Sequence, residues 1–212
     1  MRLSNIFYVL ARLCLLQGCA LLVPLAFSAY YNDGMILVFS TLAAALILLS
    51  FTTKFYRETP SELTTREGFL IVTLSWLSLA FLGSIPFMAS GHVSGFTDAL
   101  FETISGFTTT GATILTDIER LPRSLLVWRN MTQWLGGMGV IALAVAIFPF
   151  LGVGAIQLFK AEVPGPTKDK ISPRISETAK ILWWVYVAFT AAETCLLMAG
   201  GLNFFESLCV AF

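Results

Sequence analysis

Long apolar stretches separated by short polar segments dominate the chain, at Leu13 to Tyr30, Met35 to Thr53, Phe69 to Ala89, Val127 to Phe150 and Ile181 to Gly200. Each is close to the roughly 20 residues a helix needs to cross a bilayer's hydrocarbon core, so the pattern predicts five membrane spans. A shorter apolar segment, Phe96 to Phe107, lies between the third and fourth; its 12 residues can enter the membrane but cannot cross it. The fold class that follows is an all-α membrane protein with a re-entrant loop. The YYNDG turn after Tyr30 makes the first two stretches a hairpin; the alternative is a signal peptide with Ala26 and Ser28 at the cleavage positions, and the hairpin is the simpler reading.

The connections refine this plan. In Lys54 to Glu67 the run TPSE reads as a turn and a helix cap, and Pro86 near the end of the third span fits a kink or a stop. Gly136, Gly137 and Gly139 permit close packing or bending, and close packing is preferred. Lys160 to Lys180 is polar, with Pro164, Pro166 and Pro173 breaking helix. The expected organisation is a hairpin over 1–67, a helix, pore loop and helix repeat over 68–158, a loop over 159–178 and the start of a second repeat over 179–212.

The segment after Phe107 carries the candidate chemistry. Gly106 and Gly111 bracket the point where the chain turns back, and non-helical backbone at membrane depth is tolerated only where it is buried in protein or lines a water-filled cavity. Thr109, Thr110, Gly111, Ala112 and Thr113 form that backbone. Thr97 and Asp98 suit the first turn of the short helix, by capping and by complementing its dipole, so its negative end points into the membrane toward a cation. Backbone carbonyls can replace a cation's hydration shell, and glycine lets them turn inward.

Two runs, FETISGFTTTGAT (Phe101 to Thr113) and WRNMTQWLGGMGVI (Trp128 to Ile141), carry a family resemblance. The chain resembles the TrkH/KtrB potassium-uptake subunits of bacteria, within the Trk/Ktr/HKT superfamily, whose members hold four pore-loop repeats in one polypeptide. The resemblance implies K+ coordination at Thr109, Thr110 and Gly111, a homodimer in the bacterial inner (plasma) membrane, and a cytosolic nucleotide-binding regulatory subunit of TrkA/KtrA type. It implies no cofactor beyond the transported ion. Against the TVGYG of tetrameric potassium channels this run reads TTGAT, so Thr113 stands where the second glycine would be and looser selectivity than a potassium channel's is expected. An extra helix pair before the first repeat also fits the family.

Composition narrows the class without deciding it. At 57% hydrophobic and 12% charged, with a mean hydropathy of +0.80, the chain is too apolar for a soluble domain, and its zero net charge gives no sign of nucleic acid as a partner. Ten of the 13 Lys and Arg residues fall on the side of the N-terminus, leaving Arg120, Arg123 and Arg129 opposite, so the pore loop is expected to open outward. Cys14, Cys19, Cys195 and Cys209 lack metal or CxxC spacing and read as packing residues, and His92 reads as a solvated loop residue.

Glu102, inside the short helix, is expected to hold the filter loop by hydrogen bonds. Thr113 is expected to use its hydroxyl at the outer mouth. Asp117 and Glu119 would raise the cation concentration there, or form a solvated acidic loop offset by Arg120 and Arg123. Glu193 in the fifth span is a carboxylate at membrane depth with no assigned role, and Trp128, Trp134, Trp183 and Trp184 read as interface anchors or packing.

Phe96, Asp98, Ala99 and Leu100 recur 108 residues later as Phe204, Glu206, Ser207 and Leu208, which predicts a second pore helix and the N-terminal part of a longer protein. The leading functional expectation is potassium uptake; a non-conducting assembly subunit and a sodium-permeable cation transporter are the alternatives. An intramembrane enzyme would need a nucleophile with its base, or paired metal ligands, and neither is visible.

Overall fold

The computed structural model describes residues 3–51, 65–147 and 171–212, and the regular elements among them are all helical. They are α1 (Leu3–Ala20), α2 (Leu22–Tyr31), α3 (Ile36–Phe51), α4 (Thr65–Ala89), α5 (Phe96–Phe107), a 3-10 turn (Ile118–Arg120), α6 (Arg123–Ile147), α7 (Ile171–Ala199) and α8 (Phe204–Ala211). The readings of TPSE, Pro164 and Pro166 lie outside the described residues. The helices form two compact units, Met1–Gln133 and Trp134–Phe212.

In the first unit α1 begins at Leu3, ahead of the apolar run expected from Leu13. Ile6, Ala11, Cys14, Gln17 and Leu21 are buried at helical spacing, so one face stays packed even where the opposite face carries the exposed Arg12. Across the break at Leu21 the ladder persists, with Leu21 N–H bonded to the Gln17 carbonyl and Leu25 N–H to the Leu21 carbonyl. The break itself has a cause in Pro24, which has no N–H to offer the Ala20 carbonyl. Ile6–Tyr31 is therefore one apolar span of 26 residues.

Asn32 then takes a left-handed conformation (φ 51) and Gly34 another (φ 82), which reverses the chain into α3. At Gly18 a Cβ would stand 2.9 Å from the Ile47 side chain and 3.2 Å from the Ala43 carbonyl, so the two arms of this hairpin approach at a glycine.

α4 continues past Pro86 to Ala89, so the proline does not stop the helix. Three residues earlier, Gly83 is where four helices meet. A Cβ there would stand 2.9 Å from both Thr103 and Phe107 of α5 and 3.3 Å from Gln17 of α1, and the Gly83 carbonyl accepts the Trp128 indole N–H of α6 at 2.9 Å. Gln17 also donates to the Leu79 carbonyl at 3.3 Å, which ties the N-terminal hairpin to α4 at mid-helix.

In the second unit Gly137 faces Tyr186, whose hydroxyl would lie 2.6 Å from an added Cβ and donates to the Trp134 carbonyl at 3.2 Å; close packing is the role of this glycine. The Trp134 indole donates to Thr190 at 3.0 Å. α7 starts at Ile171, so Pro173 does not break helix; it occupies the first turn, where its missing N–H has no intrahelical partner to lose. α8 starts at Phe204, 108 residues after the start of α5, with a capping box between Asn203 and Glu206. Among the described residues, Ile6–Tyr31, Arg66–Ala89 and Lys180–Ala199 are helices long and apolar enough to cross a membrane.

Candidate functional site

The site is built on α5, which spans Phe96–Phe107 as expected. Its N-cap is Gly95 in extended backbone (φ −171) with no side-chain cap, so Thr97 does not cap the helix, whereas Asp98 does lie in the first turn. At the other end the helix closes in a Schellman motif. Thr109 N–H bonds to the Gly106 carbonyl at 2.8 Å and Thr110 N–H to the Ser105 carbonyl at 2.9 Å. This motif requires a left-handed residue, and Thr109 takes it with φ 54. α7 ends with the same pair of bonds but puts Gly201 (φ 102) at the equivalent place. A β-branched residue there is strained by about 1–2 kcal/mol, so the turn is held by its surroundings and not by local preference. The Thr108 hydroxyl bonds to the Ile104 carbonyl and to the Thr110 hydroxyl, each at 2.7 Å, which supplies part of that support.

Beyond the turn the strip runs back along α5. Gly111 has φ 73 and open space where a Cβ would be, so its glycine is required by conformation, not by crowding. Among the described residues the carbonyls of Thr109, Thr110, Gly111 and Thr113 accept no hydrogen bond, while the N–H groups of Thr109 and Thr110 are committed to α5. The Ala112 carbonyl differs, since it accepts the Ser105 hydroxyl at 2.5 Å and is drawn back to the helix.

Glu102 anchors the far end of the strip. It is 1% exposed, and its Oε1 accepts the Thr113 hydroxyl at 2.5 Å and the Ile114 N–H at 2.7 Å. Its other oxygen, Oε2, accepts Arg129 Nε of α6 at 3.1 Å. One buried carboxylate thus ties the loop to α5 and α5 to α6. The expectation that Thr113 turns its hydroxyl to the outer mouth fails: that hydroxyl is spent on Glu102 and also accepts Leu115 N–H. α6 passes α5 closely enough that a Cβ on Gly106 would collide with the Thr132 hydroxyl. The Trp128 ring, fully buried, meets Phe107 edge to face at 6.4 Å, so it packs and does not sit at an interface.

Asp117 is ion-paired with Arg120 at 2.7 Å, both exposed, while Arg123 lies over the Tyr31 ring at 4.4 Å. Arg120 therefore offsets Asp117 directly, and Glu119 is exposed beside it. Asp33, in the turn between α2 and α3, accepts Ser28 Oγ at 2.6 Å, Met35 N–H at 3.3 Å and Ser124 N–H at 2.8 Å, the last in the first turn of α6. Partial burial raises its carboxyl pKa, but the bonds from Ser28, Ser124 and Met35 outweigh that and hold it below the ordinary carboxylate range. His92 is exposed and bonded to the Ser90 carbonyl, and no group of metal-type ligands occurs among the described residues. Glu193 is exposed on α7.

Arg129, Ser105 and Asp33 have no site role in the sequence reading. Arg129 could have been suspected from the need of Glu102 for a partner at membrane depth.

The same loop and helices recur in known proteins. Residues 37–201 match the family model described as TrkH, cation transport protein. The chain is 43% identical to a Trk system potassium uptake protein TrkH of Halomonas elongata and 44% identical to that of Escherichia coli, in each case over 98% of this chain and 44% of the relative. It superposes on the crystal structure of the potassium transporter TrkH from Vibrio parahaemolyticus with a TM-score of 0.85 and 36% identity, over 100% of this chain and 42% of that one. The chain spans less than half the length of these relatives. With the family model matching most of its residues, the chain belongs to the TrkH family of cation transport proteins.

Proposed function

We propose that this chain is a segment of the ion-translocating subunit of a potassium uptake system, and that Thr109 to Thr113 form one wall of its selectivity filter. The observation that carries the reading is the strip itself: its first N–H groups are bonded back into α5 while the carbonyls of Thr109, Thr110 and Gly111 are left open at the negative end of that helix. A partly dehydrated cation is the ligand such a surface suits, with the carbonyls replacing its water. Glu102 acts by supporting the strip, because it is buried and its oxygens hold Thr113, Ile114 and Arg129. Asp117 and Glu119 lie at the outer mouth, where the pairing of Asp117 with Arg120 weakens any gathering of cations. Bacterial relatives named for potassium uptake support the substrate; the bacterial inner membrane is the location implied by resemblance. A homodimer and a cytosolic nucleotide-binding partner of TrkA/KtrA type complete the proposal by resemblance.

Gly111→Ser tests it in the full-length protein. A side chain at φ 73 is strained by about 1–2 kcal/mol, which the loop relieves by turning the peptide and its carbonyl. Uptake from dilute potassium is expected to weaken and the sodium-to-potassium permeability ratio to rise at normal expression. Gly91 has φ 70 and would be strained as well, so the control is Gly95→Ser, at extended backbone with open space and a cap position serine favours. Wild-type affinity and ion preference in Gly111→Ser would rule out the filter assignment.

Topology gives a second test. Cysteine at Asp117 is expected to react with a membrane-impermeant thiol reagent in intact cells, and cysteine at Lys168 only after permeabilisation. The reverse pattern would invert the orientation.

A further inference from the structure

We propose that Asp33, in the turn of the N-terminal hairpin, is a positioning residue for ion selection: it sets the place of α6 and, through α6, the anchor of the filter loop. The inference rests on the filter reading above and adds a role for a hairpin that contributes no residue to the loop.

The path is continuous and made of rigid parts. Asp33 Oδ2 accepts the Ser124 N–H, one of the first donors of α6, which lack a partner within their own helix. The carboxylate is itself fixed, because Oδ1 is held by Ser28 Oγ, a fully buried hydroxyl, and by Met35 N–H. Beside it the Arg123 guanidinium lies over the Tyr31 ring, a second tie between the end of α2 and the start of α6. Five residues along α6 from Ser124 stands Arg129, whose Nε reaches Glu102, and Glu102 carries Thr113 and Ile114 at the end of the filter strip. Four residues along stands Trp128, bonded to Gly83 and packed on Phe107, the last residue of α5.

An axial shift or rotation at the first turn of α6 would move Trp128 and Arg129 together, because a helix transmits displacement along its length. The contacts at Gly106 and Gly83 leave no room to absorb it locally. Gln17, bonded to Leu79 near Gly83, fixes the first arm of the hairpin midway along its length, so Asp33 pulls from a held arm.

The test uses the full-length protein with Asp33→Ala and Asp33→Asn. Asparagine keeps one carbonyl oxygen for the Ser124 N–H and is close in size, so it guards against simple misfolding. Asp33→Ala is expected to lower potassium-over-sodium preference about three- to tenfold, the scale of couplings carried through a packed element, with Asn closer to wild type. In a Glu102→Gln background the Asp33→Ala effect is expected to shrink, since the path ends at that carboxylate. Wild-type ion preference in both Asp33 variants, with Gly111→Ser altered, would overturn the inference and leave the filter standing. Reduced membrane abundance of Asp33→Ala with unchanged preference would overturn it too, because the role would then be structural only. If Gly111→Ser also kept wild-type preference, the filter reading would fall, and this inference with it.

Discussion

Glu102→Ala is expected to destabilise the full-length protein by about 3–5 kcal/mol, the usual result of removing one partner from a buried ion pair. The reason lies on both sides of the carboxylate. Arg129, whose side chain is only 14% exposed, would keep its charge with no counterion, and the Thr113 hydroxyl and Ile114 N–H would lose their acceptor. Thermal unfolding in detergent is expected to show a large fall in midpoint, and ion uptake to be lost even where protein reaches the membrane. Glu102→Gln retains an oxygen for the loop donors but not the charge, so it is expected to fall between. Adding Arg129→Gln to Glu102→Gln should recover part of the stability by removing the orphaned cation. Wild-type stability in Glu102→Ala would mean that the pair is not buried in the assembled protein.

Gly106→Ala is the second large effect, arising from volume and not charge. The new Cβ would collide with the Thr132 hydroxyl and come within 3.0 Å of the Thr132 Cβ, so α5 and α6 must separate. Overpacking of this kind costs about 1–3 kcal/mol, and the separation also stretches the Arg129 to Glu102 bond. Both stability and ion preference are therefore expected to suffer. Thr132→Ala removes the obstructing hydroxyl, together with its bond to the Arg129 carbonyl, but keeps the Cβ at 3.0 Å, so it is expected to rescue Gly106→Ala in part in the double variant. Failure of that rescue, with Thr132→Ala alone close to wild type, would show that the glycine serves some purpose other than this crossing.

How much of the fold is legible in the sequence depends on whether a feature is local. The bounds of α5 and the start of α8 were legible because the apolar runs that mark them are short and bracketed by polar or glycine-containing turns. The starts of α1 and α7 were not. Hydropathy marks where the bilayer begins, whereas the hydrogen-bonded ladder runs on into polar sequence. Gly111 was legible as a turning point that suits glycine, but the left-handed Thr109 was not, because a strained threonine leaves no compositional trace. The partner of Glu102 was hidden for another reason: Arg129 lies 27 residues away, and only the crossing of α5 and α6 brings them together. Asp33 is separated from Ser124 by 91 residues and looks like any aspartate in a turn.

The shared carboxylate also bears on how such a chain is made. A segment as short as α5 with Glu102 at its centre has little reason to leave the aqueous channel of an insertion machine, since a charged side chain at the centre of a bilayer segment costs about 2.5–3.5 kcal/mol on insertion scales. Its counterion is synthesised 27 residues later, on the next helix. Until Arg129 has emerged from the ribosome the Glu102 carboxylate lacks its counterion, so the short helix is expected to enter the membrane together with α6, as a pair, and not in the order in which it is translated.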